Sequence, residues 1–238
     1  MPESPCHLHE APDADTLAAD LARFVSQRLQ AGLDQRGQAL LVVSGGSTPV
    51  PFFEALSLAD LDWGRVSITL ADERWVPPDH ADSNERLVRA HLLKGPAAAA
   101  HFLPLKSSDV AVAQGRSQVE AAIEALSWPA DVVVLGMGSD AHTASLFPGS
   151  PELPTALDDT LPARCLAVGA PALPNVPVDR LSLSRRALLD TRHLVVHVTG
   201  AAKRQLLDQA LQPGPMEAMP IRLAWSRPDI PCHLFHSN

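Results

Sequence analysis

ALLVVSGGSTPVPFFEAL, residues 39–56, is the stretch that decides the fold. Ala39–Val43 is a short, unbroken apolar run, the signature of a strand covered on both faces. It gives way at once to Ser44-Gly45-Gly46-Ser47-Thr48-Pro49, and a helix is expected from near Pro49 over Val50–Leu58. A buried strand, a glycine-bearing turn and a helix in direct succession form the repeating unit of a parallel sheet.

The same unit recurs on either side. Residues 13–31 place Leu17, Leu21, Phe24, Val25 and Leu29 on one helical face, with Asp13 and Asp15 near its start. Val66–Ala71 reads as a strand that runs into DERWVPP, residues 72–78, after which Ser83 or Asn84 caps a helix through Leu93. Val110–Leu126 is expected to be an amphipathic helix. It leads to the strand Asp131–Leu135 and the loop GMGSDAHTASLFPG, residues 136–149. Pro148–Pro177 reads mostly as loop, with a strand at Cys165–Val168. Strands at Arg180–Leu183 and Leu194–Val198, a helix over Ala201–Leu211 and a weak strand at Cys232–Phe235 complete the chain. The expected architecture is α/β: a Rossmann-like three-layer sandwich, with a mostly parallel sheet and helices on both faces, built as one domain over residues 1–238. Right-handed crossovers would gather the strand-to-helix loops at one sheet edge, where ligands of such folds bind. Four loops meet that description: Ser44–Pro49, Asp72–Pro77, Gly136–Gly149 and Thr199–Lys203.

Composition narrows the function. The formal net charge of −8 gives no general attraction to nucleic acid or to an anionic membrane, so an anionic ligand has to meet a local positive site. Aromatic residues do not interleave with basic ones, and no run of about 18 apolar residues occurs. The N-terminus lacks a basic segment followed by an apolar core, which makes the cytoplasm the expected compartment. Cys6, Cys165 and Cys232 are odd in number and far apart in sequence, so neither a disulfide framework nor a cysteine zinc site is expected. His7-x-His9 and His233-x-x-His236 lie near ends expected to be flexible, and H-E-x-x-H is absent; no metal is expected.

The four loops carry the chemistry. Gly45 and Gly46 let the backbone approach a ligand, and Ser44, Ser47 and Thr48 add hydroxyls, which suits a phosphate cradle or, more plainly, a tight turn. This stretch has neither the spacing nor the lysine of a Walker loop, and Pro49 spoils the G-x-S-x-G elbow. Asp72, Glu73 and Arg74 at a strand end can orient a substrate or form a surface ion pair. His142 follows Asp140 by two residues; a carboxylate beside an imidazole fixes the ring and favours its protonated form. Lys203 falls in the first turn of a helix, where a cation is disfavoured unless an anion offsets it, and Arg180 opens a strand that can reach the same edge. Gly136–Ala141 also matches G-x-G-x-x-A, with Asp158 and Asp159 downstream, but Pro148, Gly149 and Pro151 break the helix that a dinucleotide fingerprint requires.

In this order, SGGSTP, DERWVP with Ser83-Asn84, GMGSDAHTASLFPG, Arg180 and Lys203 resemble the 6-phosphogluconolactonase family, within the fold group of glucosamine-6-phosphate isomerases and deaminases. The motifs span roughly residues 13–212. HTASLFPG looks like the lactonase branch; a deaminase would continue with something like F-N-E-P-G. The resemblance implies that His142 is the catalytic base with Asp140 as its partner. Arg74, Asp72, Arg180 and Lys203 would then hold an anionic sugar phosphate together with Ser44–Thr48. It implies no cofactor, and a monomer or weak homodimer. Ser139 and Ala141 stand where the family usually has Glu and Gly, and an alanine there narrows the backbone angles available. The competing expectations are an aldose–ketose isomerase or deaminase, and a sugar-phosphate sensor without turnover.

Overall fold

The computed structural model describes residues 6–108, 111–172 and 174–237. Among these described residues, ten strands run in chain order: β1 His7–Ala11, β2 Ala39–Val43, β3 Val66–Leu70, β4 Asp72–Arg74, β5 His101–Leu103, β6 Val132–Leu135, β7 Cys165–Val168, β8 Arg180–Leu183, β9 Leu194–Thr199 and β10 Cys232–Ser237. The seven α-helices are α1 Ala14–Arg36, α2 Val50–Leu56, α3 Asn84–His91, α4 Val112–Glu124, α5 Leu153–Leu157, α6 Arg185–Leu189 and α7 Ala201–Ala210. Among the described residues, no helix is long and apolar enough to cross a membrane.

Seven strands make one fully parallel sheet, ordered β1-β10-β9-β6-β2-β3-β5. Every residue of β2 is buried, as the unbroken apolar run requires of a central strand. Register pairs Val43 with Leu70 on one side and with Val134 on the other, so β2, β3 and β6 end nearly level and release their loops side by side. Helix α1 begins where the Asp13 carboxylate accepts from the Thr16 N–H (2.7 Å), and it ends where the Gly37 N–H donates to the Leu33 carbonyl (2.9 Å). Leu21, Val25 and Leu29 of α1 are fully buried, each gaining about 1.5–3 kcal/mol from leaving water.

Three features differ from the sequence reading. Asp72–Arg74 is a short strand rather than loop, and with β7 and β8 it forms a separate antiparallel sheet, ordered β4-β8-β7. Arg180–Leu183 and Cys165–Val168 therefore leave the main sheet. The N-terminal segment is not a flexible end: His7–Ala11 adds a parallel edge strand to β10. It also brings Cys6 onto Cys232, with sulfurs 2.7 Å apart, although the two are 226 residues apart in sequence. Pro148–Pro177 carries the short helix α5 as well as the expected strand β7. Helix α4 covers the region expected for it, although the expected start at Val110 lies outside the described residues.

Candidate active site

The loops after β2, β6 and β9 meet the small sheet at one crevice of about 290 Å³. Its lining includes Ser44, Gly45, Gly46, Ser47, Thr48, Asp72, Arg74, His142, Arg180 and Lys203. Of the residues singled out from the sequence, Asp140 and Glu73 stand outside the lining, Asp140 immediately behind His142.

His142 sits in a tight coil after β6. The Gly138 N–H donates to the His142 carbonyl (2.8 Å), and the Ala141 N–H donates to the Gly138 carbonyl (3.2 Å). A β-carbon on Gly138 would come within 2.1 Å of the His142 ring, so close packing fixes glycine there. Ala141 takes φ +62°, in the left-handed region that disfavours residues with a side chain. Asp140 receives the His142 backbone N–H (3.1 Å), and its Oδ1 lies against Nδ1 of the same ring. Partial burial would raise the Asp140 pKa, but the hydrogen bond and charge of His142 outweigh it and hold the carboxyl below its usual range. With Nδ1 engaged by the carboxylate, Nε2 is the ring nitrogen left to exchange a proton. The ring packs on Phe147 at 4.5 Å between centroids. Asn175, from the proline-rich segment, donates to the other Asp140 oxygen (3.3 Å).

The two arginines come from facing strands. Arg74 and Arg180 are direct partners in the β4–β8 ladder. Arg74 Nη1 donates to the Asp82 carbonyl (2.7 Å) and to Asn84 Oδ1 (3.1 Å). Arg180, itself buried, lies 3.8 Å from Asp72 Oδ2 and donates to the Val176 carbonyl (3.1 Å). Burial and the nearby Arg74 lower the pKa of Arg180, while Asp72 opposes the shift. On the opposite wall, Lys203 in the first turn of α7 donates to the Met137 carbonyl (2.6 Å). Burial lowers its pKa and the Asp140 charge works against that. Three cations thus converge on one crevice in a chain whose net charge is negative.

Sequence reasoning gave two supporting residues too little weight. Asn84 was a candidate helix cap; in the structure it lines the crevice and binds Arg74. Its side chain also donates to the Asp72 carbonyl (2.9 Å) and lies where a β-carbon on Gly45 would be, 1.9 Å away, so Gly45 and Asn84 interlock. Glu73 faces away from solvent and anchors the start of α3: it accepts from the N–H groups of Asn84 (2.8 Å) and Glu85 (2.7 Å), and from the Ser83 hydroxyl (3.1 Å). Burial raises its pKa, against the pull of those N–H donors. An acid buried beside an exposed-looking charged motif gives no periodic signal; the sequence hint was Ser83 or Asn84 as the cap of a helix, and Ser83 is that cap.

A family model described as glucosamine-6-phosphate isomerases/6-phosphogluconolactonase matches residues 12–230. A 6-phosphogluconolactonase of Pseudomonas putida is 46% identical over 215 residues, covering 90% of this chain and 87% of that protein. The 6-phosphogluconolactonase of Pseudomonas aeruginosa is 44% identical, covering 92% and 90%. Among solved structures, a 6-phosphogluconolactonase from Shewanella baltica superposes with a TM-score of 0.93 at 41% identity, covering 98% of each chain. A monomeric glucosamine-6-phosphate deaminase, 15% identical, shares the fold with a TM-score of 0.78.

Proposed function

This chain belongs to the glucosamine-6-phosphate isomerase/6-phosphogluconolactonase family, and from that premise we propose that its crevice opens 6-phospho-D-glucono-1,5-lactone to 6-phosphogluconate by water attack assisted by His142. The chain is a hydrolase acting on a lactone ester, and the reaction belongs to the pentose phosphate pathway. The observation that carries the mechanism is that His142, backed by Asp140, lines the same crevice as Arg74, Arg180 and Lys203.

His142 Nε2 takes a proton from water as the water oxygen attacks the lactone carbonyl. Asp140 holds the ring by Nδ1 and stabilises the imidazolium. The tetrahedral oxyanion is met by Arg74 or by loop N–H groups. The C–O bond to the ring oxygen then breaks, and the imidazolium returns its proton to that oxygen. The product is a free hydroxyl and a carboxylic acid, which loses its proton to solvent to become the carboxylate. A lactone is an activated ester, so this route needs neither a covalent nucleophile nor a cofactor. Lys203, Arg180 and the Ser44–Thr48 loop hold the phosphate and position the carbonyl. We further read the enzyme as cytoplasmic, a single domain, and monomeric or weakly dimeric.

The test is acid release from freshly prepared 6-phosphogluconolactone, measured against the spontaneous rate. Turnover well above that rate, without ammonia release from glucosamine 6-phosphate, supports the reading. Ammonia release, or binding of 6-phosphogluconate with no hydrolysis of the lactone, overturns it.

A further inference from the structure

The mechanism above leaves His197 on the crevice wall without a task. His197 lies on β9, two residues before Thr199 and hence on the same face of the sheet. Its ring is 4% exposed and meets Phe52 of α2 edge-on, 6.2 Å between centroids. Nε2 is buried with no hydrogen-bond partner. The residue nevertheless lines the crevice, together with Thr199, Lys203 and the Ser44–Pro49 loop. An unpartnered buried nitrogen is costly to keep. Packing alone would be served better by a branched apolar side chain, such as its strand neighbours Val195, Val196 and Val198. Burial holds the imidazole pKa down at about 4, so near neutral pH the ring offers an N–H without carrying a charge.

We propose that His197 is a phosphate-binding residue, whose imidazole N–H donates to a phosphate oxygen of the substrate seated between the Ser44–Thr48 loop and Lys203. Its place in the fold selects the phosphate over the lactone ring. The contact with Phe52 of α2 puts it beside the helix that follows the Ser44–Pro49 turn, and Lys203 follows six residues later, in the first turn of the helix after the same strand. His142 and Arg74 reach the crevice from the β6 loop and from the small sheet. An uncharged donor suits this depth, because it adds selectivity for the phosphate without burying a fourth cation.

The proposal rests on the lactonase reading but is tested apart from it. In His197→Phe, KM for 6-phosphogluconolactone should rise about tenfold, the loss of one hydrogen bond to a charged group. Its kcat should stay within about twofold, and kcat/KM for unphosphorylated glucono-1,5-lactone should not change. His197→Gln, which keeps an N–H donor, should recover part of the KM. Binding of inorganic phosphate to the wild-type protein should shift the His197 ring nitrogen resonances saturably, a readout that needs neither turnover nor a folded variant. Equal losses for both lactones would mean that His197 only packs. Ring resonances indifferent to phosphate would overturn the proposal even if the lactonase activity is present. A phosphate response in a protein without that activity would support the site while sinking the lactonase reading.

Discussion

Two groups of histidines in this molecule have opposite surroundings. His142 sits half-buried on a loop, with a carboxylate against one ring nitrogen and the crevice on its other side. On the β1–β10 flank, His7, His9, His193 and His233 crowd together with Phe24 and Phe235. His9 stacks on Phe235 at 4.2 Å, and His7 stacks on His233 at 5.1 Å. Burial lowers the His193 pKa to about 4 and that of His233 to about 3, and the neighbouring charges of Arg28 and Arg192 push His193 the same way. The residue type is the same and the use is different. A carboxylate neighbour makes an imidazole a proton carrier, whereas rings and cations make it an uncharged packing unit.

The contrast is broken most directly at His142. Replacing it by Ala should lower kcat by about 10²–10⁴, measured as acid release above the spontaneous rate; near-normal turnover would remove this ring from the chemistry. Lys203→Ala should raise KM for the phosphorylated lactone by about tenfold or more and leave kcat less affected. Equal affinity for lactones with and without phosphate would contradict its assignment.

The flank histidines should speak through stability instead. The folded pKa values of His9, His193 and His233 lie below the ordinary imidazole value of about 6.5, so between about pH 6.5 and 4 the unfolded chain binds protons that the folded chain does not. Stability should hold above pH 6.5 and fall as the pH drops through that window, seen as a declining urea midpoint. His233→Phe should flatten that slope, and an unaltered slope would show that this ring does not titrate as its burial requires. The smallest expected effect is at Ala141. Its φ of +62° costs an alanine about 1 kcal/mol, so Ala141→Gly should stabilise the fold by up to that amount in chemical denaturation while leaving His142 in place.

The centre of the main sheet was legible because β2 and β6 are buried on both faces and therefore read as unbroken apolar runs, with no exposed residue. The small sheet was legible only in part: β7 and β8 fall where strands were expected, but β4 was read as loop. Asp72–Arg74 is three residues long and charged throughout, and its strand character comes from the partner it finds in β8 more than a hundred residues later. The edge strand β1 escaped for a related reason: His7–Ala11 alternates polar and apolar residues weakly, and its pairing depends on β10. In the crevice, residues with charge or with glycine-rich surroundings announced themselves, as His142, Lys203 and Ser44–Thr48 did. Asn84 and His197 did not, because an amide at a helix start and a histidine inside an apolar strand both have commoner structural uses.

The opposed pair Arg74 and Arg180 has a consequence for how turnover ends. Like charges on directly facing ladder positions repel, and Asp72, 3.8 Å from Arg180, opposes that repulsion. Ester cleavage creates a carboxylate, so the molecule formed carries one more negative charge than the one that entered. The cationic walls therefore grip what must leave more firmly than what arrives. Lowering the ionic strength should therefore slow the escape of the newly made acid.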